Sequence, residues 1–416
     1  MNIWPLTAQP ALSVGGVSLT EIAERFGTPV YVLDEEHVRI RCREYAKAMA
    51  PHEVAYASKA FWCRAMARWI AEEGLSLDVC SEGEFVVAGA AGFPAERILL
   101  HGNGKTSHEL SAALDYGVGR IVVDSPGEVG QLAALAGRRQ KILVRVTPGV
   151  DAHVHRAVTT GTEDQQFGLS IASGAATDVA RRILRQPSLE LAGVHCHIGS
   201  QITSLDGFET AARRLVAFMA GLGGLPELNL GGGHAVPYRP GEDGLDITAF
   251  AERITGAVER ECAARGIPVP RLTVEPGRAI VGSAGVTLYR VLTVKHGARP
   301  FVVVDGGMSD NPRPALYGSR YHIERVGTRA PAETEPMTVV GRHCEAGDVL
   351  VPDARLPADT RPGDLLAVPC TGAYHHAMAS NYNHFTRPPV IGVHKGRARA
   401  LVRRETDEDL LRRDVG

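Results

Sequence analysis

The sequence predicts an α/β fold: a closed (β/α)₈ barrel of the TIM type, with a smaller β-rich domain after it. Between residues 53 and 275, eight short β-rich runs alternate with amphipathic segments, as in a parallel sheet covered by helices. Polar residues lie at the C-terminal ends of nearly all these runs, where a barrel gathers its active site around one axis. An open doubly wound sheet would place its chemistry at two or three strand ends. The even distribution therefore favours the barrel.

The eight predicted strands can be placed along the chain. They span residues 53–57, 75–79, 98–101, 120–123, 141–146, 190–194, 227–230 and 271–274. Their C-terminal ends carry Lys59, Asp78, His101, Asp124, Arg145, His195 with His197, the glycines 231–233 and Glu275. Ser81 and Glu84 have the spacing of a capping box, which predicts a helix start after the second strand, and Gly92 should end that helix.

Beyond residue 284 the pattern of apolar and polar residues in the sequence changes. β-rich runs separated by Pro and Gly clusters, without a long helical pattern, predict a β-rich, Greek-key-like domain. The runs span residues 286–294, 301–304, 337–340, 364–368 and 398–403. We expect residues 29–33, which precede the barrel, to add a strand to this domain. The predicted boundaries are 35–284 for the barrel, and 1–34 with 285–416 for the second domain.

Composition argues against several classes of function. The chain of 416 residues has a net charge of −2 and no basic tract, which disfavours nucleic acid or an anionic membrane as a partner. No stretch approaches about 18 apolar residues, and the first residues lack the basic start and apolar core of a signal peptide. Seven scattered cysteines argue against a disulfide framework and favour a reducing cytoplasm.

Lys59 is the lone cation at the end of an apolar run, where a strand should pass into a helix. A lysine amine in this position suits a Schiff base with an aldehyde cofactor. The competing interpretation is a surface lysine whose stem covers apolar side chains. The polar residues at the other strand ends favour the cofactor.

Two turns near the end of the barrel have the features of a cofactor site. Three glycines follow the seventh strand, where barrels often bind phosphate, although an ordinary tight turn explains them about as well. Glu275 ends the eighth strand and could hold a proton on a pyridine nitrogen, or it could be a surface turn residue. Arg278 could bind phosphate or a substrate carboxylate bidentately.

The segment His195–Gln201 contains an H-x-H pattern, which suggests a metal because residues two apart share one face of a strand. However, no third ligand has a recognisable spacing, so we predict no metal site. An imidazole stacked on a planar cofactor ring, with Ser200 near the cofactor's phosphate, fits the segment better.

The second domain carries four further candidate residues. Arg313 lies between prolines and suits recognition of a carboxylate, with a solvated loop arginine as the alternative. Cys344 and Glu345 place a thiol beside an acid, although a lone cysteine is more often buried apolar filler than a reactive group. Tyr374 lies in a predicted loop of polar and aromatic residues that could serve several functions.

Taken in order, these motifs resemble those of diaminopimelate decarboxylases, which use pyridoxal 5′-phosphate on an alanine-racemase-like barrel. The motifs are YASKAF, HGNGK, HCHIGSQ, NLGGG, EPGR, DGGMSDNPRPALYG, HCEAGD, TGAY and MASNYN. The resemblance runs from about residue 28 to 405, and nine motifs in this order are far more specific than any one of them. It implies a lyase of lysine biosynthesis that converts meso-diaminopimelate to L-lysine and carbon dioxide.

The resemblance also implies roles for individual residues. Catalysis would fall to Lys59, as the Schiff-base lysine, and to Cys344, as the family's cysteine acid. The cofactor would be held by Lys59, Asp78, His101, His197, Ser200, Gly232, Gly233, Glu275, Gly277, Arg278 and Tyr374. The distal end of the substrate would be bound by Arg278, Arg313, Tyr317, Glu345 and Tyr374. Because the family's cysteine acts in the partner subunit's active site, a homodimer with shared active sites is implied.

Several positions depart from the family pattern near the expected pocket, and they bear on the substrate more than on the cofactor. They are Gln166, where lysine is usual, His234-Ala235 after the three glycines, and His375-His376 after Tyr374. One alternative is a paralogous decarboxylase acting on a glutamyl- or ornithine-like amino acid in specialised metabolism. Another is a non-catalytic homologue that binds pyridoxal phosphate. Racemisation is disfavoured, because racemases resembling this barrel place an arginine where Glu275 stands.

Overall fold

The computed structural model describes residues 12–150, 166–327 and 333–416. The chain forms two compact units. The barrel unit contains Arg41–Ala235 and Asp243–Gly277, and the β unit contains Met1–Ile40, Val236–Glu242 and Arg278–Gly416. The first residues, interpreted above as lacking a signal peptide, lie outside the described residues. Of the described helices, none combines the length and apolar character needed to cross a bilayer.

The described strands and helices are as follows. The strands are β1 Ser13–Val14, β2 Val17–Ser18, β3 Val30–Asp34, β4 Glu53–Ala57, β5 Ser76–Val79, β6 Ile98–Leu100, β7 Arg120–Val123, β8 Gln140–Thr147, β9 Leu169–Ser170, β10 Leu189–His195, β11 Glu227–Asn229, β12 Arg271–Val274, β13 Gly285–Lys295, β14 Phe301–Val304, β15 Glu324–Val326, β16 Thr334–Val340, β17 Val349–Pro357, β18 Leu365–Pro369, β19 Val390–His394 and β20 Arg397–Val402. The helices are α1 Leu19–Phe26, α2 Glu35–Met49, α3 Arg64–Glu72, α4 Glu82–Ala90, α5 Ser107–Tyr116, α6 Pro126–Leu135, α7 Ala175–Leu184, α8 Asp206–Ala220, α9 Ile247–Arg265, α10 Arg278–Val281, α11 Arg313–Tyr317 and α12 Asp407–Leu411.

Eight parallel strands of the barrel unit close into a barrel. The order around the barrel is β4, β5, β6, β7, β8, β10, β11 and β12, and β12 pairs back onto β4 with Thr273 opposite Glu53. The strands are short, and nearly all their residues are buried, as expected when helices cover the outside and side chains fill the inside. The predicted barrel is confirmed, and each observed strand overlaps its predicted run.

Local capping signals determine where several barrel helices begin. The hydroxyl of Ser81 accepts a hydrogen bond from the backbone N–H of Glu84, which starts α4 as the spacing predicts. The Glu84 carboxylate accepts from the N–H of Cys80, so the reciprocal half of a capping box is displaced by one residue. A complete capping box joins Thr106 and Glu109 at the start of α5.

A buried ionic network fills the N-terminal end of the barrel. The Glu53 carboxylate accepts hydrogen bonds from Arg120, Ser76 and Arg271, and Arg120 also contacts Glu227 at 2.8 Å. Burial alone would disfavour the charged form, but the hydrogen bonds and charge of Arg120 outweigh it and lower the pKa of Glu53 to about 2. This end of the barrel is therefore occupied by structural ion pairs, and the opposite end carries Lys59.

The β unit is built on a mixed sheet. Its order is β17-β16-β14-β13-β3-β19-β20, and β18 pairs with both β13 and β15. β3 pairs with β13 and β19, which confirms that the segment before the barrel adds a strand to the second domain. The core beneath this sheet includes Val30, Val32, Val286, Leu288 and Ile391.

Candidate active site

Lys59 lies in a 3₁₀ turn, Ser58–Ala60, that directly follows β4. Its two neighbours are buried, whereas Lys59 itself is exposed. The turn packs closely on the turn after β12, because a Cβ added to Gly277 would meet the Cβ atoms of Ala60 and Ala57 at 3.0 and 3.1 Å. The ends of β4 and β12 therefore form one surface, from which the Lys59 side chain extends.

The Glu275 carboxylate lies at the centre of a buried polar cluster formed by five strand ends. Its Oε1 atom accepts a hydrogen bond of 2.7 Å from Asn229 and lies 2.9 Å from His101 Nε2, while Oε2 lies 3.2 Å from His195 Nε2. His101 Nε2 is also 3.7 Å from Asp78 Oδ1. The barrel thus joins Asp78, His101 and Glu275, which the sequence placed at the ends of three different strands.

The charges in this cluster are coupled. Burial raises the pKa of Asp78 to about 6 and lowers that of His195 to about 4. Burial also opposes charge on Glu275, yet the electrostatic interactions and hydrogen bonds with His101 and His195 outweigh it and lower the pKa of the carboxyl group. The pKa of His101 is raised, because the acids Asp78 and Glu275 outweigh its burial. Glu275 is therefore held as a carboxylate between the imidazole rings of His101 and His195.

A glycine loop follows β11 and packs against the loop that follows β10. Gly231 has a φ of +67° and Gly233 a φ of +97°, a region that favours glycine. A Cβ at Gly232 would collide with the carbonyl oxygen of Glu275, and one at Gly233 would collide with that of Gly199. Only a chain without side chains fits this close packing of backbone against backbone.

His197 is oriented by this loop. Its Nδ1 atom accepts a hydrogen bond of 3.1 Å from the N–H of Gly232, which requires Nδ1 to be unprotonated. Burial, together with the positive charge of Lys59, lowers the pKa of His197, so the ring is neutral. Ser200 lies in the bend that follows. His197 therefore contacts the glycine loop, whereas His195 contacts Glu275, and the two histidines of the H-x-H pattern belong to different interactions.

The absence of a metal stays a prediction, and no third ligand stands at a recognisable spacing from the H-x-H pattern in the sequence. His101, His195 and Glu275 bring ligand atoms within 4.8 Å of one another, so a third potential ligand does exist. It lies on another strand, with no short spacing to reveal it. The same contacts are accounted for by an acid held between two imidazoles.

The β unit brings Arg278 and Arg313 together with a set of aromatic rings. Each arginine is only 7% exposed. The Tyr374 ring lies 4.7 Å from the guanidinium carbon of Arg278 and 5.7 Å from that of Arg313, and Tyr317 lies 5.6 Å from that of Arg313. Tyr374 has a φ of +63°, a conformation that costs a non-glycine residue about 1–3 kcal/mol and occurs mainly at functional positions.

Two residues of this group were missed in the sequence. Arg278 donates a hydrogen bond to the hydroxyl oxygen of Tyr238, and Arg313 Nε donates to that of Tyr321 at 2.8 Å. In the barrel unit, Asn229 was likewise missed, and His195 was noted at a strand end without being assigned a role. Asn229 did carry a signal, as a polar residue inside an apolar run. The two tyrosines carried none, because their role depends on packing.

Cys344 and Glu345 are exposed residues of the β unit. The N–H of Cys344 donates to Asn383 Oδ1 at 3.1 Å, and Glu345 Oε2 accepts from the hydroxyl of Tyr382 at 3.3 Å. The MASNYN motif therefore supports the turn that carries both candidates.

The positions that depart from the family pattern have distinct surroundings. The His234 ring packs among Tyr45, Phe208 and Phe250, and burial lowers its pKa to about 3, so it is a neutral core residue. His375 lies edge-on to Tyr321 with ring centroids 5.3 Å apart. Two of the remaining positions are Gln166, whose carbonyl oxygen accepts from Asn103, and His376, which lies edge-on to Tyr31.

Known proteins similar to this chain agree over its whole length. Residues 35–282 match the family model described as pyridoxal-dependent decarboxylase, pyridoxal binding domain. The diaminopimelate decarboxylase of Actinosynnema pretiosum subsp. auranticum is 60% identical over 419 residues, covering 100% of this chain and 95% of that protein. The corresponding protein of Mycobacterium tuberculosis H37Rv is 47% identical over 437 residues, covering 100% and 98%.

Solved structures agree as well. A crystal structure of diaminopimelate decarboxylase from M. jannaschii is similar with a TM-score of 0.93 at 31% identity, covering 99% of this chain and 98% of that chain. The same enzyme in complex with L-lysine has a TM-score of 0.92 at 32% identity, covering 98% and 97%.

Proposed function

The chain belongs to the diaminopimelate decarboxylase family, and from that premise we propose that it decarboxylates meso-diaminopimelate to L-lysine and carbon dioxide. The observation that carries the proposal is the Glu275 carboxylate, held ionised beside His101 in a barrel whose first strand end carries Lys59. A fixed anion and an amine at the strand ends of one barrel are what a pyridoxal-dependent decarboxylase requires.

The residues present fit pyridoxal 5′-phosphate. When bound, this group supplies an aldehyde for the substrate amine and a ring that accepts the electrons released as carbon dioxide leaves. In the glycine loop an added Cβ would collide with neighbouring backbone, so the loop keeps its course only with glycine, and we propose this turn after the seventh barrel strand as the phosphate site. We propose that the group is held by Lys59, Asp78, His101, His197, Ser200, Gly232, Gly233, Glu275, Gly277, Arg278 and Tyr374.

The side chains around the proposed cofactor site have different roles. Lys59 would provide the amine to which the cofactor is attached. Glu275 holds a proton on the pyridine nitrogen, and Asn229 and His101 keep its carboxylate charged and oriented. The neutral His197 packs on the ring. Racemases resembling this barrel use an arginine at the position of Glu275, so the carboxylate favours loss of carbon dioxide.

The distal end of diaminopimelate carries an ammonium and a carboxylate. We assign its binding to Arg278, Arg313, Tyr317, Glu345 and Tyr374, because two guanidiniums and one acid form the complementary set of charges. A substrate such as ornithine or lysine, with only an amine at that end, would leave the buried arginines without an anion. A glutamyl-like amino acid with a distal carboxylate is the second candidate, since it also matches the arginines.

We further propose a homodimer in which Cys344 of one subunit acts as the acid in the active site of the other. The reducing cytoplasm is the proposed location, supported by seven cysteines that are all free thiols. The proposed domain boundaries remain 35–284 for the cofactor-binding barrel, and 1–34 with 285–416 for the β-rich domain.

Carbon dioxide release from a panel of amino acids tests the function. We expect release from meso-diaminopimelate and much slower release from ornithine, lysine and glutamyl compounds. Borohydride reduction should attach the cofactor covalently to the wild-type protein and not to Lys59→Ala. Comparable turnover of ornithine would contradict the proposed substrate, and a wild-type protein that cannot be labelled would contradict the proposed cofactor.

A further inference from the structure

Two buried arginines of the β unit share one aromatic cage, which consists of Arg278, Arg313, Tyr238, Tyr321 and Tyr374. The Tyr238 ring centroid lies 5.7 Å from the guanidinium carbon of each arginine, so one ring contacts both cations. Tyr374 contacts both as well. The two positive charges are therefore held near each other, although like charges repel.

The tyrosine hydroxyls fix the direction in which the guanidiniums point. Tyr321 accepts a hydrogen bond of 2.8 Å from Nε of Arg313, and Tyr238 accepts from Nη1 of Arg278. Ser319 accepts a further bond of 3.2 Å from Nη2 of Arg313. A guanidinium has five N–H donors in one plane, so a bond at one edge leaves others to bind an anion bidentately.

The rings that carry these hydroxyls are themselves held in place. Tyr238 and Tyr321 meet edge to face, with centroids 5.1 Å apart at 89°. His375, one of the positions that depart from the family pattern, lies edge-on to Tyr321 at 81°, and its Nδ1–H donates to the Ala373 carbonyl oxygen, 2.9 Å away. Burial lowers the pKa of His375 to about 3, so this ring adds no charge.

The tyrosines of the cage do not neutralise the charge of Arg313. Burial raises the pKa of both Tyr238 and Tyr321, so both phenols stay protonated and uncharged near neutral pH. Among the residues that the structure describes, no carboxylate lies within 4.0 Å of Arg313. A buried cation without an acid partner is costly, and an anionic ligand would offset that cost.

We propose that the hydroxyls of Tyr238 and Tyr321 are positioning groups that hold Arg278 and Arg313 for the distal carboxylate of the substrate. The two tyrosines thereby determine the preference for amino acids that carry this carboxylate. The inference rests on the proposed function, since it concerns the substrate of the same site. It adds two residues that contact the arginines and need not contact the substrate.

Tyr238→Phe and Tyr321→Phe test the inference, because each keeps the ring and removes the hydroxyl. We expect the KM for meso-diaminopimelate to rise about tenfold in each variant, as for loss of one hydrogen bond to a charged group, with kcat within about twofold of wild type. A matched control is Tyr45→Phe, which removes a buried hydroxyl bonded to His234 in the barrel unit. This control should leave the KM unchanged.

Two ligands separate positioning from a general structural defect. L-lysine retains the distal carboxylate, whereas cadaverine is the same diamine without it. Titrated into cofactor-loaded protein, L-lysine should bind about tenfold more weakly to both variants than to wild type, and cadaverine should bind equally. If both ligands lose affinity to the same extent, or neither does, the positioning role is wrong.

A second variant covers the case in which a tyrosine variant does not fold. Ser319→Ala removes the partner of Arg313 Nη2 from a half-buried position, and it should weaken L-lysine binding selectively as well. Failure of the proposed function gives a different result, because wild-type protein would then release no carbon dioxide from meso-diaminopimelate. The lysine and cadaverine titrations need no turnover and therefore test the cage independently.

Discussion

At the residue scale, the charge on Glu275 is the property on which the proposed chemistry depends. An isolated carboxyl group buried at this depth would be neutral, since burial penalises the ionised form. Asn229 and two imidazoles surround it and favour the carboxylate. The barrel thus supplies the counter-charges from the ends of strands that lie far apart in the sequence.

We expect Glu275→Gln to lower kcat at least about 100-fold, because glutamine keeps the size of the side chain but cannot hold a proton on the pyridine nitrogen. The measurement is turnover of meso-diaminopimelate at saturating cofactor. Bound cofactor, measured by absorbance after gel filtration, should persist. A matched control is Glu227→Gln, which changes an acid at the other end of the same barrel. Equal turnover in wild type and Glu275→Gln would remove Glu275 from the mechanism.

The residues of the site differed in how well the sequence revealed them. Lys59 and Glu275 could be found because each is a charged residue at the end of an apolar run. Asn229 likewise ends an apolar run, on a three-residue strand. However, asparagine occurs in many structural roles, and no motif distinguishes a functional asparagine from these. Tyr238 and Tyr321 acquire their role from arginines 40 and 8 residues away in the chain, and no spacing rule predicts such contacts.

At the scale of elements, substitutions in the glycine loop after β11 test the proposed phosphate site. We expect Gly233→Ala to reduce affinity for pyridoxal phosphate sharply, because a Cβ there would collide with the Gly199 carbonyl and move the loop. The control is Gly174→Ala, which also has a positive φ, +86°, but has nothing within 4 Å of the added Cβ. It should cost about 1–2 kcal/mol of stability and leave cofactor affinity unchanged.

Cofactor titration of both variants, followed by absorbance, gives the comparison. Suppose that Gly233→Ala has the same melting temperature as Gly174→Ala and binds the cofactor as tightly as wild type does. The glycine loop would then not be the phosphate site.

In the β unit, Asp310 links strands β3 and β13 to the loop after β14. Its carboxylate accepts hydrogen bonds from the hydroxyl of Tyr289 and the N–H of Gly307, and its carbonyl oxygen accepts from Tyr31 at 2.6 Å. Burial raises the pKa of Asp310 to about 7, despite the hydrogen bond from Tyr289. Asp310 is therefore easier to protonate in the folded chain than in the unfolded chain, where the pKa of its side chain is near 3.8.

The sign of the effect follows from linkage. The contribution of Asp310 to stability is complete below pH 3.8 and is lost as the pH rises to about 7. Between pH 5 and 8, the wild type should lose about 3 kcal/mol that Asp310→Asn does not lose. Melting temperatures of wild type and Asp310→Asn across this range provide the measurement, with the exposed Asp353→Asn as control. A difference that does not change with pH would contradict the assignment.

Sequence patterns located most strands of both units, including the edge strand β20, but missed the buried strand β19. The eight barrel strands and β13 are continuous apolar runs, so their pattern is strong. β17 was missed although it has nine residues, because Pro352 and Asp353 interrupt its apolar character. It lies at the edge of the sheet, where a proline costs no ladder hydrogen bond on the open side. Burial along β17 is interrupted as well, so its sequence carries a weaker signal.

At the scale of the whole molecule, the two units divide the proposed chemistry. The barrel unit holds Lys59, Glu275 and the glycine loop, while the β unit holds Arg278, Arg313 and Cys344. The alternation of strands and helices was sufficient to predict the barrel. Sequence patterns could not predict how subunits assemble, because a subunit interface depends on surface shape. Only the family resemblance implies that Cys344 acts in the active site of a partner subunit.

Mixing two inactive variants tests this shared site. We expect Lys59→Ala and Cys344→Ala each to lose most turnover, with Cys344→Ala retaining bound cofactor. In a mixed dimer with composite sites, one site carries both substitutions and the other carries neither. Random exchange of subunits makes half the dimers mixed, so about a quarter of wild-type activity should return. Exchange must be forced, for example by co-expression of the two variants with different affinity tags.

The recovered activity should co-purify with both tags, because only the mixed dimer contains an intact site. If each chain instead supplied Lys59 and Cys344 to its own site, every site would carry one substitution and activity would not return. Activity that elutes with only one tag would also contradict the shared site. The experiment depends on neither the substrate preference nor the tyrosine cage, so it isolates the question of which subunit provides the cysteine.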